Sequence, residues 1–237
     1  MLFCDGFIKS GRISYLLLKR IHPKWFADDW KFTPFNGQIQ RIRDVVGIVE
    51  AFKPDLCIET GTFIGSTTAH LAQLAPEGVK TIEINQSFLS IAQDRFTENH
   101  KSSPIQAHLG DSAKEMSEIL NGLPKDKKVL AYLDAHWLDA IPTRAEVEAL
   151  ENWGGQWVAV VDDFKIPNDS GFGFDSYGEV TIGAEIFGGI PNLVVCGPAR
   201  DSSKETGARR GTGYLANSVK VRNYSEIFKG LSSIASS

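Results

Sequence analysis

The chain has 237 residues, 42% of them hydrophobic, which is enough to bury the core of one α/β domain and short for two. A formal charge of −4 leaves no global basic footprint, so nucleic acid is not an expected partner. Three cysteines, Cys4, Cys57 and Cys196, are odd in number and widely spaced, which argues against both a disulfide framework and a paired-cysteine zinc site.

The N-terminal stretch 1–37 reads as a helical extension. Its apolar runs are interrupted by Asp5, Lys9, Arg12, Lys19 and Arg20, so no segment approaches the ~20 apolar residues that span a bilayer. A cytoplasmic protein without a membrane partner is expected. The segment Ile13 to Ile21 fits a helix that caps the domain or makes a homodimer contact better than one lying on a membrane. Pro34, Asn36 and Gly37 mark a break, and residues 38–237 form the expected domain.

IQRIRDVVGIVEAF then repeats apolar residues at helical spacing until Pro54 stops it. Beyond it, strand-like runs alternate with helical ones. DLCIET, VKTIEI, PIQAHL, KVLAYLD and QWVAVVD are the strands, and the intervening helices are read as Ser66 to Leu74, Ser87 to Glu98, Ser112 to Leu120 and Thr143 to Trp153. Several open on Ser or Thr, taken as N-caps. This alternation predicts an open parallel sheet with helices on both faces. NLVVCG and TGYLANSVKV have no helical pattern between them and are expected to pair as an antiparallel hairpin at the sheet edge. The Ser-rich end, SSIASS, reads as frayed.

Ligands of open α/β sheets bind at the carboxyl ends of the strands. Each strand-like run here ends in an acid or is closely followed by one: Glu59, Glu83, Asp111, Asp134, and the pair Asp162 and Asp163. Such a row suits a ligand bearing hydroxyls, an amine, a sulfonium or a metal ion. In IETGTFIGSTTAHLA, Gly61 and Gly65 bracket a tight turn ahead of a helix. The GxxxG spacing differs from the GxGxxG that cradles a pyrophosphate, which tilts against NAD. Glu83 is placed to accept both hydroxyls of a ribose, a role that methyltransferases and dinucleotide enzymes share.

The segments IETGTFIGS, KTIEINQSF, HLGDSAKEM, YLDAHW and VVDDF, in this order, resemble the motif series of the catechol O-methyltransferase group. They are also similar to the metal-dependent sugar O-methyltransferases of macrolide biosynthesis and their cephalosporin-pathway relatives. The resemblance covers roughly residues 38–164. It implies a Rossmann-like class I methyltransferase, a mostly parallel seven-stranded sheet closed by an antiparallel edge hairpin. It also implies S-adenosylmethionine as cofactor. Glu59, Gly61 and Gly65 would line its methionine part, Glu83 would hold the ribose, and Asp111 and Ser112 would lie beside the adenine. Thr60, Ser66, Ile84 and Asp134 would complete the cofactor contacts, and Asp134, Asp162 and Asp163 would match three metal ligands.

The metal has a basis in the residues too. Asp134 and Asp162 end successive strands 28 positions apart, so their carboxylates can converge, and hard oxygen ligands suit Mg²⁺. Such an ion lowers the pKa of a substrate hydroxyl and orients it toward the methyl group. The catechol enzymes place a lysine just after the first metal Asp. Aligning this chain on the shared His-Trp pair puts Leu138 there instead, one position after Trp137. His136 is then the first candidate general base and Lys165 the second.

KIPNDSGFGFDSYGE, with Gly171, Gly173, Phe172, Phe174 and Tyr177, suits a lid or an acceptor-pocket wall. Arg209 and Arg210 either meet an anionic acceptor or face solvent. The expectation is Mg²⁺-assisted methylation of a hydroxyl on a small molecule such as a sugar or phenol. A metal-free methyltransferase, a nicotinamide-dependent oxidoreductase and a cofactor-binding scaffold without turnover are its rivals.

Overall fold

A computed structural model describes residues 33–99, 104–136 and 141–234. The expected N-terminal helix with its dimer or membrane role, together with Cys4, Trp137 and Leu138, lies outside the described residues. No helix among them is long and apolar enough to cross a membrane.

The chain alternates as its periodicity predicts: α1 (Ile39–Phe52), β1 (Leu56–Thr60), α2 (Ser66–Leu71), β2 (Val79–Glu83), α3 (Gln86–Asn99), β3 (Ile105–Leu109), α4 (Ser112–Asn121), β4 (Lys128–Leu133), α5 (Thr143–Trp153) and β5 (Gln156–Val161). A two-stranded ribbon follows, β6 (Ser176–Tyr177) and β7 (Val180–Thr181), then β8 (Leu193–Gly197), β9 (Gly213–Asn217), the short helix α6 (Tyr224–Ile227) and β10 (Ser232–Ile234). The main sheet has the order β10-β8-β9-β5-β4-β1-β2-β3. Strands β1 to β5 pair in parallel, whereas β9 is antiparallel to both β5 and β8.

The expected hairpin is therefore present, but it does not end the sheet. Ser232, Ser233 and Ile234, read as frayed, pair with β8 as an eighth strand and bury Ile234. The open outer edge of β8 offers unpaired backbone groups, and three residues of almost any type can satisfy them.

Core strands β4 and β5 are apolar along nearly their whole length because both of their faces are covered. Met116, Leu120, Val147, Leu150 and Trp153 from α4 and α5 pack on one face. Val45, Ile48, Phe52, Leu71 and Ile227 from α1, α2 and α6 pack on the other. Cys57 and Cys196 are buried free thiols.

The helix ends follow different rules from those read in the sequence. Ser66 and Ser112 are first helical residues rather than caps; Gly65 precedes one, and Asp111 caps the other by accepting from the Lys114 amide at 3.1 Å. Thr143 opens α5 behind Pro142. Helix α1 is capped from far along the chain, its Gln40 and Arg41 amides donating to the two Glu205 carboxylate oxygens at 3.0 and 3.1 Å. It ends on Lys53 in the left-handed region, just before Pro54.

Residues 33–37, assigned to the extension from sequence, are part of the domain. Phe35 is fully buried, edge-on to Tyr132 at 5.1 Å, and Asn36 donates to Asp162.

Candidate functional site

Strand register sets the site. Thr60 lies level with Leu133, and Leu133 with Val161, so the next residues, Asp134 and Asp162, leave the sheet at the same height. The Asp134 amide donates to the Thr60 carbonyl at 3.0 Å and the Asp162 amide to the Leu133 carbonyl at 3.0 Å, which continues the ladder to the edge. The Thr60 hydroxyl also accepts from Asp134 N, at 3.3 Å.

On the β1–β3 side, Gly61 has φ 82, and a Cβ there would run into the Asp134 carbonyl. Its glycine is required by the close approach of β4 as much as by any ligand. Gly65, φ 78, leaves no room for a Cβ beside the Phe96 ring. Ser66 accepts from the Arg95 guanidinium at 3.1 Å.

Glu59 faces inward instead of lining this loop. Its carboxylate accepts from Thr68 and, at 2.6 Å, from Thr81, and burial pushes it up to about 8, partly offset by those bonds. It shapes the turn from beneath and offers no exposed acid to a cofactor.

Glu83 is held as a ligand group is held. Its two oxygens accept from the Phe63 amide at 2.8 Å and the Asn85 amide at 2.9 Å. Burial raises its pKa, and these amides lower it again in part. Around it, large apolar side chains stand open at the strand ends: Ile84 is 71% exposed, and Phe63 and Leu109 are also uncovered. Asp111 and Ser112 sit at the start of α4 beyond them.

The β4–β5 side divides the acids into two groups. Asp163 takes a left-handed backbone, φ 53, and its amide donates to Asp162 Oδ1 at 2.7 Å, so the two side chains part. Asp162 enters a buried network: Arg41 pairs with it at 2.7 Å, Tyr132 donates at 2.8 Å and Asn36 at 3.1 Å. Arg41 is 1% exposed and Asp162 0%. Burial opposes the Arg41 charge, but Asp162 and Tyr132 outweigh it, so the guanidinium pKa is raised.

Asp163 turns the other way, to His136, whose Nε2 lies 3.0 Å from Asp163 Oδ2, 3.7 Å from Asp134 Oδ1 and 3.9 Å from Asp175 Oδ2. Arg210 bridges Asp163 and Asp175. Burial pushes Asp163 up, yet His136 and Arg210 hold it down at about 2. Asp134 moves the opposite way, well above the usual carboxylate range, through burial and then repulsion from Asp162 and Asp163. For His136, burial disfavours the charge, and the Asp163 hydrogen bond and the surrounding acids overcome it, leaving the imidazole pKa raised.

The donor atoms that converge are therefore those of Asp134, His136 and Asp163, all within 4.8 Å of one another. This corrects the set read from sequence, because Asp162 is committed to Arg41. Lys165 is corrected as well. It is exposed, its ammonium lies 5.6 Å over the Phe174 ring, and among the described residues no ion pair joins it to the cluster.

The glycine-rich segment after β5 is pinned rather than free. Asp169 accepts from Ser202 N and Oγ, and Gly173 exchanges backbone bonds with Arg209 and Gly211. Pinning carries Asp175 and Tyr177 to the site, where the Tyr177 hydroxyl donates to the His136 carbonyl at 2.7 Å.

Four participants were missed in the sequence: Arg41, Asp175, Glu146 and the role of Arg210. Two of them left a signal. Arg41, Val45, Ile48 and Phe52 form one buried stripe of α1, and Thr143, Glu146, Val147, Leu150 and Trp153 form that of α5, so Arg41 and Glu146 are charges on apolar faces.

No family model matches the chain, and no curated protein matches it. Among solved structures, a protein described as a caffeoyl-CoA O-methyltransferase from Staphylococcus aureus is 11% identical, with 91% of this chain and 97% of that one covered at a TM-score of 0.54. An O-methyltransferase from Bacillus cereus, in complex with S-adenosylhomocysteine, is 16% identical over 75% of this chain and 76% of that one, at a TM-score of 0.50. The shared architecture is the Rossmann-like fold of class I methyltransferases. At these identities the likeness establishes the fold.

Proposed function

We propose that the chain transfers a methyl group from S-adenosylmethionine to a hydroxyl of a small molecule, with a divalent cation at the β4–β5 edge. The observation that carries this reading is the side-by-side placement of two unlike half-sites on one sheet edge. One is a carboxylate, Glu83, fixed by two amides among open apolar side chains; the other is the Asp134, His136 and Asp163 cluster.

The first half suits a nucleoside. Each Glu83 oxygen accepts one amide and keeps a lone pair for a ribose hydroxyl. Ile84, Phe63 and Leu109 offer apolar surface to a base, with Asp111 and Ser112 beyond. Both solved structures named above are described as O-methyltransferases, and the one from Bacillus cereus holds S-adenosylhomocysteine, in keeping with this use of the fold.

Methyl transfer from a sulfonium is a direct displacement, so the protein chiefly aligns oxygen, carbon and sulfur and takes up the hydroxyl proton. The second half fits a cation by its donor chemistry, two carboxylates and an imidazole. A dication there would lower the pKa of an acceptor hydroxyl. Arg210 fixes Asp163 and Asp175, and Tyr177 fixes the backbone at His136, so the acceptor meets a preformed wall. With the His136 imidazole among the ion's donors, the free oxygen of Asp134 is the group placed to receive a proton.

A metal-free methyltransferase is the second reading, favoured by the Arg210 guanidinium, which already supplies a cation to Asp163 and Asp175. Calorimetric titration of the chelator-stripped protein with S-adenosylhomocysteine, and separately with NAD, tests the first half. Binding of the former and not the latter is expected, about tenfold weaker in Glu83→Gln for loss of charge-assisted bonds. Failure to bind S-adenosylhomocysteine would falsify the proposal, and methyl transfer that survives chelation would select the metal-free form.

A further inference from the structure

We infer that the cation site of this chain is a one-histidine, two-carboxylate site, with His136 Nε2, Asp134 and Asp163 as donors. Asp162 is withheld from it by Arg41, and the site selects a first-row transition-metal dication such as Mn²⁺ or Co²⁺ over Mg²⁺. This rests on the cation half of the proposed function and departs from the oxygen-only set that the motif resemblance implies.

Three observations converge. First, separations fit one ion. Donors about 2.1 Å from a metal lie about 3.0 Å apart at a right angle and about 3.7 Å apart near 125°. His136 Nε2 is 3.0 Å from Asp163 Oδ2 and 3.7 Å from Asp134 Oδ1.

Second, Asp162 has no freedom to join them. Its carboxylate already takes a buried guanidinium and phenol, and a part-buried amide side chain and backbone amide. Freeing it would leave Arg41 charged and unpaired in the core.

Third, the surroundings match what orients such ligands. The far oxygen of Asp163 is held by Arg210. On the other side of the imidazole, His136 Nδ1 is buried without a hydrogen-bond partner, and Glu146 is fully buried with neither oxygen hydrogen-bonded. Burial pushes Glu146 up to about 7; the Ser112 and Thr60 hydroxyls, short of hydrogen-bond geometry, and the His136 charge lower it in part. A metal-bound histidine commonly turns its second N–H to a carboxylate or a water, and Glu146 is a fully buried acid within electrostatic reach of this ring that has no hydrogen-bond partner among the described residues. Thr143 Oγ1, one turn earlier on the same helix face, is also buried and unpartnered, so a bridging water has several polar groups to satisfy there. With Nε2 committed to the ion, His136 is a donor, and the hydroxyl proton falls to the free oxygen of Asp134.

An imidazole nitrogen raises affinity for Mn²⁺ and Co²⁺, whereas Mg²⁺ prefers oxygens and its own water. The test uses the chelator-stripped full chain with MnCl₂, CoCl₂ and MgCl₂, read by calorimetry, with S-adenosylhomocysteine titrated in parallel. Mn²⁺ and Co²⁺ are expected to bind at least tenfold tighter than Mg²⁺. Pulsed electron paramagnetic resonance of bound Mn²⁺ is expected to show coupling to a nitrogen that disappears in His136→Gln, while Asp162→Asn keeps that coupling. The wild-type nitrogen signal stands as a readout even where a variant fails to fold. Equal or tighter Mg²⁺ binding, absence of nitrogen coupling, or no dication binding at millimolar concentration overturns the inference. If S-adenosylhomocysteine binds and the metal result fails, only the donor set falls. If Mn²⁺ binds as described and S-adenosylhomocysteine does not, the donor set stands and the methyltransferase reading falls.

Discussion

Replacing Arg41 with methionine removes the countercharge of Asp162 while keeping most of the side-chain volume. The guanidinium pairs with Asp162 at 2.7 Å, donates to the Tyr132 hydroxyl at 3.1 Å, and donates to the Arg210 and Gly211 carbonyls at 2.8 and 3.3 Å. Breaking a buried pair from one side costs about 3–5 kcal/mol, because the remaining charge is left uncompensated. Each orphaned carbonyl adds about 1 kcal/mol where water cannot reach it. A loss of about 5 kcal/mol is therefore expected. In a chain of this size that lowers Tm by roughly 10–20 °C. Urea unfolding of Arg41→Met, Asp162→Asn and the double variant measures it directly. The double variant no longer buries a charge and should recover at least about 2 kcal/mol relative to Arg41→Met. A single-variant loss under about 1 kcal/mol, or no recovery in the double, refutes the reasoning that this pair organises the interior.

Other substitutions probe the edge itself. Gly61→Ala forces a side chain toward the Asp134 carbonyl at a left-handed φ of 82, so a stability loss of about 2–4 kcal/mol is expected in thermal melts. Near-wild-type melting would mean the turn can relax. Tyr177→Phe removes the 2.7 Å bond to the His136 carbonyl; about 1 kcal/mol of stability should go, with amide exchange around residue 177 rising. An unchanged exchange pattern would show that the ribbon is held by other contacts. Glu59 gives a pH signature. Burial, offset in part by Thr68 and Thr81, lifts it from its ordinary value of 4.5 to about 8. A raised pKa favours the folded state fully below 4.5, and that contribution is lost as pH rises through about 8. Glu59→Gln, neutral throughout, should gain on the wild type between pH 5 and pH 8, by at most about 1.4 kcal/mol per unit. A difference that stays constant over that range counts against it.

Much of the fold was legible because its punctuation is local. Helix α1 ends where Pro54 requires, and the periodicity of Thr143 to Trp153 matches α5, which the structure closes on a left-handed Gly154. Strand ends likewise placed Glu83, Asp134 and Asp163 on one edge. Less was legible where a side chain's direction decides. A left-handed Asp163 sends it and Asp162 to opposite neighbours, and no pattern in VVDDF shows which one reaches His136. The partners of Asp162 and Asp163 come from Asn36, Arg41 and Arg210, far away in sequence. Strand β10 was unreadable for another reason: three residues carry no period, and its existence depends on the edge that β8 presents.

The clasp between the start of α1 and residues 205–211 bears on how the molecule is made. Glu205 caps amides 164 and 165 positions earlier, and Gln38 exchanges bonds with Arg210 across 172. During synthesis the five parallel strands and helices α1 to α5 emerge before this segment does. Until it arrives, Asp163 and Asp175 have no guanidinium between them, and the first turn of α1 lacks its acid. A nascent chain stopped short of residue 205 would hold the five parallel strands with an unneutralised edge, and β8 without its partners β9 and β10. Final ordering of that edge is thus a late event, governed by closure of a very long loop.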